Sequence, residues 1–166
     1  MIKAAFCDDD LSVLNELHVL MDNYRVERNQ EITYTAFHSP LELIAQIEKG
    51  MRFDILFLDV LMPGVNGIET AQEIREYDSA MKIIFLTSSA EYAVESYTVN
   101  AYFYQLKPIW PESFYRLMDS VLKECAQEQR RSLILRCKSG ITQISLDRLM
   151  YCEDGACDPR TEILHS

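Results

Sequence analysis

Five short apolar runs stand out along the first two thirds of the chain, separated by stretches in which apolar residues recur every third or fourth position. The runs are Ile2–Cys7, Ile32–Phe37, residues 53–59 with the solid block Ile55-Leu56-Phe57-Leu58, residues 81–87 with Ile83-Ile84-Phe85-Leu86, and the aromatic-rich residues 101–106. Three of them are apolar on successive rather than alternate positions, which predicts strands buried on both faces of a parallel sheet.

The connecting stretches carry helix signals. Leu14, Leu17, Met21 and Tyr24 make one stripe behind Asp10 or Ser12 as N-cap. Ser39-Pro40-Leu41-Glu42 combines a capping box with proline at the first helical position, and Asn66-Gly67-Ile68-Glu69 and Ser88-Ser89-Ala90-Glu91 each offer a cap with Glu three residues on. Trp110-Pro111-Glu112 opens a last helix through Phe114, Leu117, Val121 and Leu122 into the charged stretch at Glu128-Gln129-Arg130-Arg131. Five strands alternating with five helices predict a doubly wound α/β fold, with no internal repeat. Beyond about residue 131 the pattern changes to short β segments: Leu133-Ile134-Leu135-Arg136-Cys137, residues 140–146, residues 149–152 and residues 162–165. This β-rich tail of roughly 35 residues is too small to hold a core of its own.

Composition narrows the class. The 166 residues carry a formal net charge of −10 and are 48% hydrophobic with 5 Gly and 5 Pro, which excludes disordered and low-complexity chains. No run approaches the roughly 18 apolar residues of a membrane span. The first apolar run is short and ends in Asp8-Asp9-Asp10, unlike a signal peptide, so a cytoplasmic protein is expected. Five cysteines without a C-x-x-C pair read as reduced core thiols; Cys152, Cys157 and His165 form only a loosely spaced zinc alternative. Residues 1–125 hold 20 acids and 10 bases, hence −10, whereas residues 126–166 hold 6 of each. The first part would be repelled by nucleic acid phosphates.

In a doubly wound sheet, ligands gather beyond the carboxyl ends of the strands. There the first run ends in Asp8-Asp9, the third in Asp59, the fourth in Thr87 and the fifth in Lys107-Pro108. Taken singly, Asp8, Asp9 and Asp10 read better as helix caps and first-turn acids, and Asp59 as a loop acid before a Pro-Gly turn. Together they repel: two carboxylates about 5 Å apart cost about 3 kcal/mol at an effective dielectric of 20. A divalent cation would relieve that repulsion, and all-oxygen ligation suits Mg²⁺. Acids holding Mg²⁺ beside a free Asp, a hydroxyl and a Lys point to phosphoryl transfer, with Asp59 as aspartyl nucleophile.

The set Cys7-Asp8-Asp9, Leu58-Asp59-Val60-Leu61-Met62-Pro63-Gly64-Val65-Asn66-Gly67, Phe85-Leu86-Thr87-Ser88 and Tyr104-Gln105-Leu106-Lys107-Pro108 resembles the receiver domain of two-component response regulators, over residues 1 to about 125. The resemblance implies a flavodoxin-like sheet of strand order 2-1-3-4-5. It makes Asp59 the phosphoacceptor for a sensor histidine kinase, Asp8 and Asp9 the Mg²⁺-holding pair, and the Leu61 backbone carbonyl a further metal ligand. It likewise makes Thr87 the switch hydroxyl, Lys107 the phosphoryl-binding lysine with a cis bond to Pro108, and Tyr104 the switch aromatic. Asn66 and Ser88 depart from the commoner Asp and Ala. Phosphorylation is then expected to remodel the face of the fourth helix, fifth strand and fifth helix, where Tyr92, Val94, Tyr97, Val99 and Tyr102 offer a surface for homodimerisation, although an aromatic there also serves as packing.

Residues 132–153 resemble the opening strands of a LytTR-type DNA-binding domain. The organisation expected is a receiver over 1–125, a helical linker over 126–131 and a partial LytTR-like domain over 132–166, with DNA reached only through a complete C-terminal domain. Arg130, Arg131, Arg136, Lys138, Arg148 and Arg160 read as phosphate contacts or as solvated surface charge, so no DNA-contact residue is assigned; residues 154–160 fit no pattern. Such a receiver is a switch in transcription control rather than an enzyme. Two rivals are a Mg²⁺-dependent aspartyl-nucleophile phosphohydrolase, disfavoured by Leu61 where that class carries a second acid, and a receiver-like docking domain independent of phosphorylation.

Overall fold

The computed structural model describes residues 1–137 and 140–145, with side chains up to Gln129. A first compact unit runs Met1–Met118, and a second begins at Asp119 inside the last helix. In the first unit, β1 (Ile2–Cys7), β2 (Ile32–Phe37), β3 (Ile55–Leu58), β6 (Lys82–Thr87) and β7 (Phe103–Leu106) form one parallel sheet in the order β2-β1-β3-β6-β7, which is the expected 2-1-3-4-5. Two two-residue strands, β4 (Leu61–Met62) and β5 (Val65–Asn66), pair separately as a small hairpin after β3.

The sheet is packed on both faces, as the unbroken apolar runs require. Helices α1 (Leu11–Arg28), α2 (Pro40–Glu48), α3 (Gly67–Tyr77) and α4 (Pro111–Arg131) supply the layers. Leu56, Leu58, Ile83 and Phe85 join Leu43, Ile47, Ile68 and Ile74 in one buried cluster. The alternate strand residues pack elsewhere: Phe57 lies 5.5 Å from Phe6 and 5.7 Å from Phe114 of α4, which meets Tyr24 of α1 at 6.3 Å. The stripe Leu14, Leu17, Met21 and Tyr24 is buried as the periodicity predicts. Asp10, Ser39 and Asn66 each cap a helix by accepting a main-chain N–H two residues on. No helix among the described residues is long and apolar enough to cross a membrane.

The fourth predicted α-helix is absent. The segment between β6 and β7 consists of turns and a single 3₁₀ stretch, Glu95–Val99. The cap signal does form, since Ser89 Oγ accepts the Glu91 N–H at 3.2 Å. The residues after the cap work against α-helix: Tyr92, Val94, Tyr97, Thr98 and Val99 are aromatic or β-branched, and the Ser96 and Thr98 hydroxyls bond the carbonyls of Ala93 (2.6 Å) and Glu95 (2.7 Å) three residues back. The expected surface changes accordingly. Val99 is core at 3% exposure and Tyr92 packs against the core, whereas Tyr97 (81%) and Val94 (78%) are exposed; Phe103, Leu106 and Trp110, not among the residues expected at that surface, are exposed as well.

Arg75 of α3 anchors this crossover. Its guanidinium donates to the main-chain carbonyls of Val99 (2.8 Å), Asn100 (3.1 Å), Met81 (2.7 Å) and Asp78 (3.1 Å). In the second unit, β8 (Ser132–Cys137) and β9 (Gly140–Ser145) pair as an antiparallel hairpin, as the sequence predicts for both segments. The expected strands at 149–152 and 162–165, the loop 154–160, the trio Cys152, Cys157 and His165, and the basic residues Lys138, Arg148 and Arg160 lie outside the described residues, as do the side chains of Arg130, Arg131 and Arg136. Because a charged donor to several half-buried carbonyls is worth more than a neutral bond, Arg75→Met should lower unfolding free energy by about 2 kcal/mol in urea titrations. Amide exchange should accelerate first around Val99 and Asn100.

Candidate functional site

Sheet register alone assembles the acidic cluster. Cys7 is opposite Leu58 on β1 and β3, and the Asp59 N–H donates to the Cys7 carbonyl at 3.0 Å, so Asp8 and Asp59 leave adjacent strands side by side. On the other side of the sheet, Thr87 pairs with Leu106, and the Lys107 N–H donates to the Thr87 carbonyl at 2.9 Å, carrying the ladder one residue further. The next peptide bond, Lys107–Pro108, is cis.

From there the Lys107 ammonium spans both carboxylates, donating to Asp8 Oδ2 at 2.7 Å and Asp59 Oδ2 at 3.0 Å. Asp8 and Asp59 are buried and Asp9 is exposed, yet one oxygen from each of the three lies within 4.8 Å of the others. Burial pushes the Asp8 carboxyl above its ordinary range despite the opposing bond from Lys107. Burial alone would lower the Lys107 ammonium, but its bonds to Asp8 and Asp59 outweigh that and hold it above its usual value. Behind Asp8, burial with the neighbouring acids raises the Cys7 thiol to about 12, so it stays protonated as a core residue. Cys125, the other cysteine whose side chain is described, is also buried.

Main-chain donors fix the remaining carboxylate oxygens. Asp8 Oδ1 accepts from the Asp10 N–H at 2.9 Å, and Asp59 Oδ1 from the Leu61 N–H at 3.2 Å. Gly67 closes the turn that carries Leu61. Its N–H reaches the Val60 carbonyl at 2.8 Å, and a Cβ there would sit 2.1 Å from the Asp59 carbonyl oxygen, so only glycine fits. Thr87 is wholly buried at the end of β6, and its hydroxyl accepts from the Ser89 N–H at 3.4 Å. Tyr104 donates its hydroxyl to the Ser89 carbonyl at 2.6 Å. Ser89 therefore links the two residues expected to act as a switch, through main-chain atoms that no residue pattern reveals.

Three clustered carboxylates against one ammonium leave a net negative charge in an all-oxygen donor set, which fits a hard divalent cation such as Mg²⁺. The family model for the response regulator receiver domain matches residues 5–120. The chain belongs to the response regulator receiver family. The receiver's relatives include the sensory transduction protein LytT of Oceanobacillus iheyensis, 38% identical over 80 residues that cover 47% of this chain and 32% of that protein. They also include the transcriptional regulatory protein YpdB of Escherichia coli K12, 32% identical over 104 residues that cover 57% and 42%. The chain thus spans less than half the length of these two relatives. Among solved structures, the fold resembles the response regulatory domain of protein mrkE from Klebsiella pneumoniae (TM-score 0.67, 23% identity, 76% of this chain and 99% of that one). A CheY-like receiver from Methanospirillum hungatei is similar to the same extent (TM-score 0.66, 24% identity, 77% and 98%).

The raised Asp8 carboxyl makes this receiver less stable once Asp8 ionises. A group raised in the folded state stabilises below its unfolded value and loses that contribution as pH rises through the folded one. Without divalent cations, Asp8→Asn should therefore melt with the wild type below pH 3.8, the ordinary Asp value, and at a higher temperature than the wild type at neutral pH. Thermal melts across that range check the sign.

Proposed function

We propose that this receiver accepts a phosphoryl group on Asp59 from a sensor histidine kinase and, in the full-length protein, relays that state to transcription. The observation that carries the proposal is the ammonium of Lys107 shared by Asp8 and Asp59 within a trio of carboxylates. Asp8, Asp9, Asp59 and the Leu61 carbonyl would hold Mg²⁺, which when bound supplies positive charge to the oxygens of the phosphoryl group in transfer.

In that reaction an Asp59 carboxylate oxygen attacks phosphorus, the new O–P bond forms as the N–P bond of the kinase phosphohistidine breaks, and the imidazole leaves. Lys107 exchanges one of its carboxylate bonds for a phosphoryl oxygen. Phosphorylation replaces the single negative charge of the Asp59 carboxylate with an acyl phosphate of about −1.5 to −2 and sets three acceptor oxygens at a buried position. Thr87 answers by giving up the Ser89 N–H for a phosphoryl oxygen, and Tyr104, tied to the same residue, moves with it. The unit is a switch rather than an enzyme, since its output is a conformation.

Residues 1–125 serve as the receiver, 126–131 as a helical linker and 132–166 as part of a LytTR-type domain. The names of relatives described as sensory transduction and transcriptional regulatory proteins support a transcriptional output. Incubation with acetyl phosphate and Mg²⁺ should add one base-labile phosphoryl group per chain by intact mass spectrometry, and none in Asp59→Ala or with EDTA. Continuous phosphate release from small substrates would indicate a hydrolase instead, and no adduct a docking domain.

The exposed Val94, Tyr97, Phe103, Leu106 and Trp110 supply apolar and aromatic area of the kind enriched in interfaces, on the segments that the switch moves. Beryllofluoride with Mg²⁺ should convert a monomer to a dimer in sedimentation velocity, and Tyr97→Ala should weaken that dimer about tenfold. An unchanged monomer overturns the dimer proposal.

A further inference from the structure

Three consecutive acids, Asp8, Asp9 and Asp10, come after β1, but only the first two have oxygens in the carboxylate trio with Asp59. Asp10 has a different set of bonds. Its Oδ1 accepts the Ser12 N–H at 2.8 Å and the Ser12 hydroxyl at 2.7 Å, while its own N–H donates to Asp8 Oδ1 at 2.9 Å. Its carbonyl accepts the Leu14 N–H at 3.1 Å, the first turn of α1. The Asp10 peptide is thus tied at both ends, to a helix of 18 residues and to Asp8.

The same construction supports Asp59. Its Oδ1 accepts from the Leu61 N–H, and Leu61 is fixed by pairing with Asn66 in the β4–β5 hairpin. Each buried carboxylate therefore has one oxygen on Lys107 and the other on an amide two residues downstream, held by the next element of the chain. The difference is that the hairpin is held by main-chain bonds alone, whereas the α1 start adds the Asp10 side-chain cap to its main-chain bond from Leu14.

We infer that Asp10 is a positioning residue for the cation site: its cap on α1 aims its own N–H at Asp8 and so sets the orientation in which Asp8 meets a divalent cation. This deepens the proposed function and rests on it. Groups that orient a metal-binding side chain change affinity by about tenfold or more when removed. Asn caps a helix as well as Asp does, and Ala does not cap. The cap can therefore be separated from the charge.

The test is calorimetric titration of MgCl₂ into the full chain well below its melting temperature. Asp10→Asn should bind within about twofold of wild type, Asp10→Ala should bind about tenfold more weakly, and Ser12→Ala, which keeps the main-chain half of the cap, about threefold more weakly. Rescue by Asn distinguishes positioning from a loss of negative charge. Wild-type affinity in Asp10→Ala, or equal losses in Asp10→Asn and Asp10→Ala, overturns the inference. Asp8→Asn is the control for the underlying site: if it binds Mg²⁺ as wild type does, the cation site itself is wrong, whatever Asp10 does.

Discussion

A single ammonium between two buried carboxylates governs the design of this chain. Lys107 meets Asp8 and Asp59 only because three strands far apart in sequence end at one edge of the sheet, in a register that brings their next residues within bonding distance. Buried charge is tolerated where it is paired and hydrogen-bonded. Here the pairing is incomplete by construction, with two buried acids and an exposed third sharing one lysine. Burial raises the Asp8 carboxyl even with Lys107 bonded to it. The site is held in a state that an added positive charge would relieve.

Most of the architecture could be read from the pattern of residues, because hydrophobic burial writes directly into it. Unbroken apolar runs marked β1, β3 and β6, and the three-to-four spacing of Leu14, Leu17, Met21 and Tyr24 marked the buried face of α1. The fourth helix failed for a reason that the cap signal concealed. Ser89 does cap locally, but the residues after it prefer other backbone states, and their hydroxyls take up carbonyls that a helix needs. A start signal says nothing about propagation. Misplacing that helix also misplaced Val99, which faces the core, and left Phe103, Leu106 and Trp110 out of the expected surface.

The acids and lysine of the site were legible for a different reason: strand ends in this topology converge, so charged residues just past apolar runs are neighbours in space. What the sequence did not show is the set of main-chain partners. Leu61 and Ser89 act through amides or carbonyls that every residue type possesses. The pattern left the cap of α1 open between Asp10 and Ser12, and the bonds assign it to Asp10. Gly67 was visible as part of a turn, but its close approach to the Asp59 carbonyl was not.

Arg75 carries a consequence for how such a surface can diversify. Its guanidinium grips the crossover through carbonyl oxygens of Val99 and Asn100, and through those of Asp78 and Met81 behind it. Because the grip ignores side-chain identity, outward positions such as Val94 and Tyr97 are free to be rewritten, one residue at a time, without unfastening the loop that presents them. What the segment presents to solvent and how it is fastened are thereby assigned to different atoms, and the first can change while the second stays as it is.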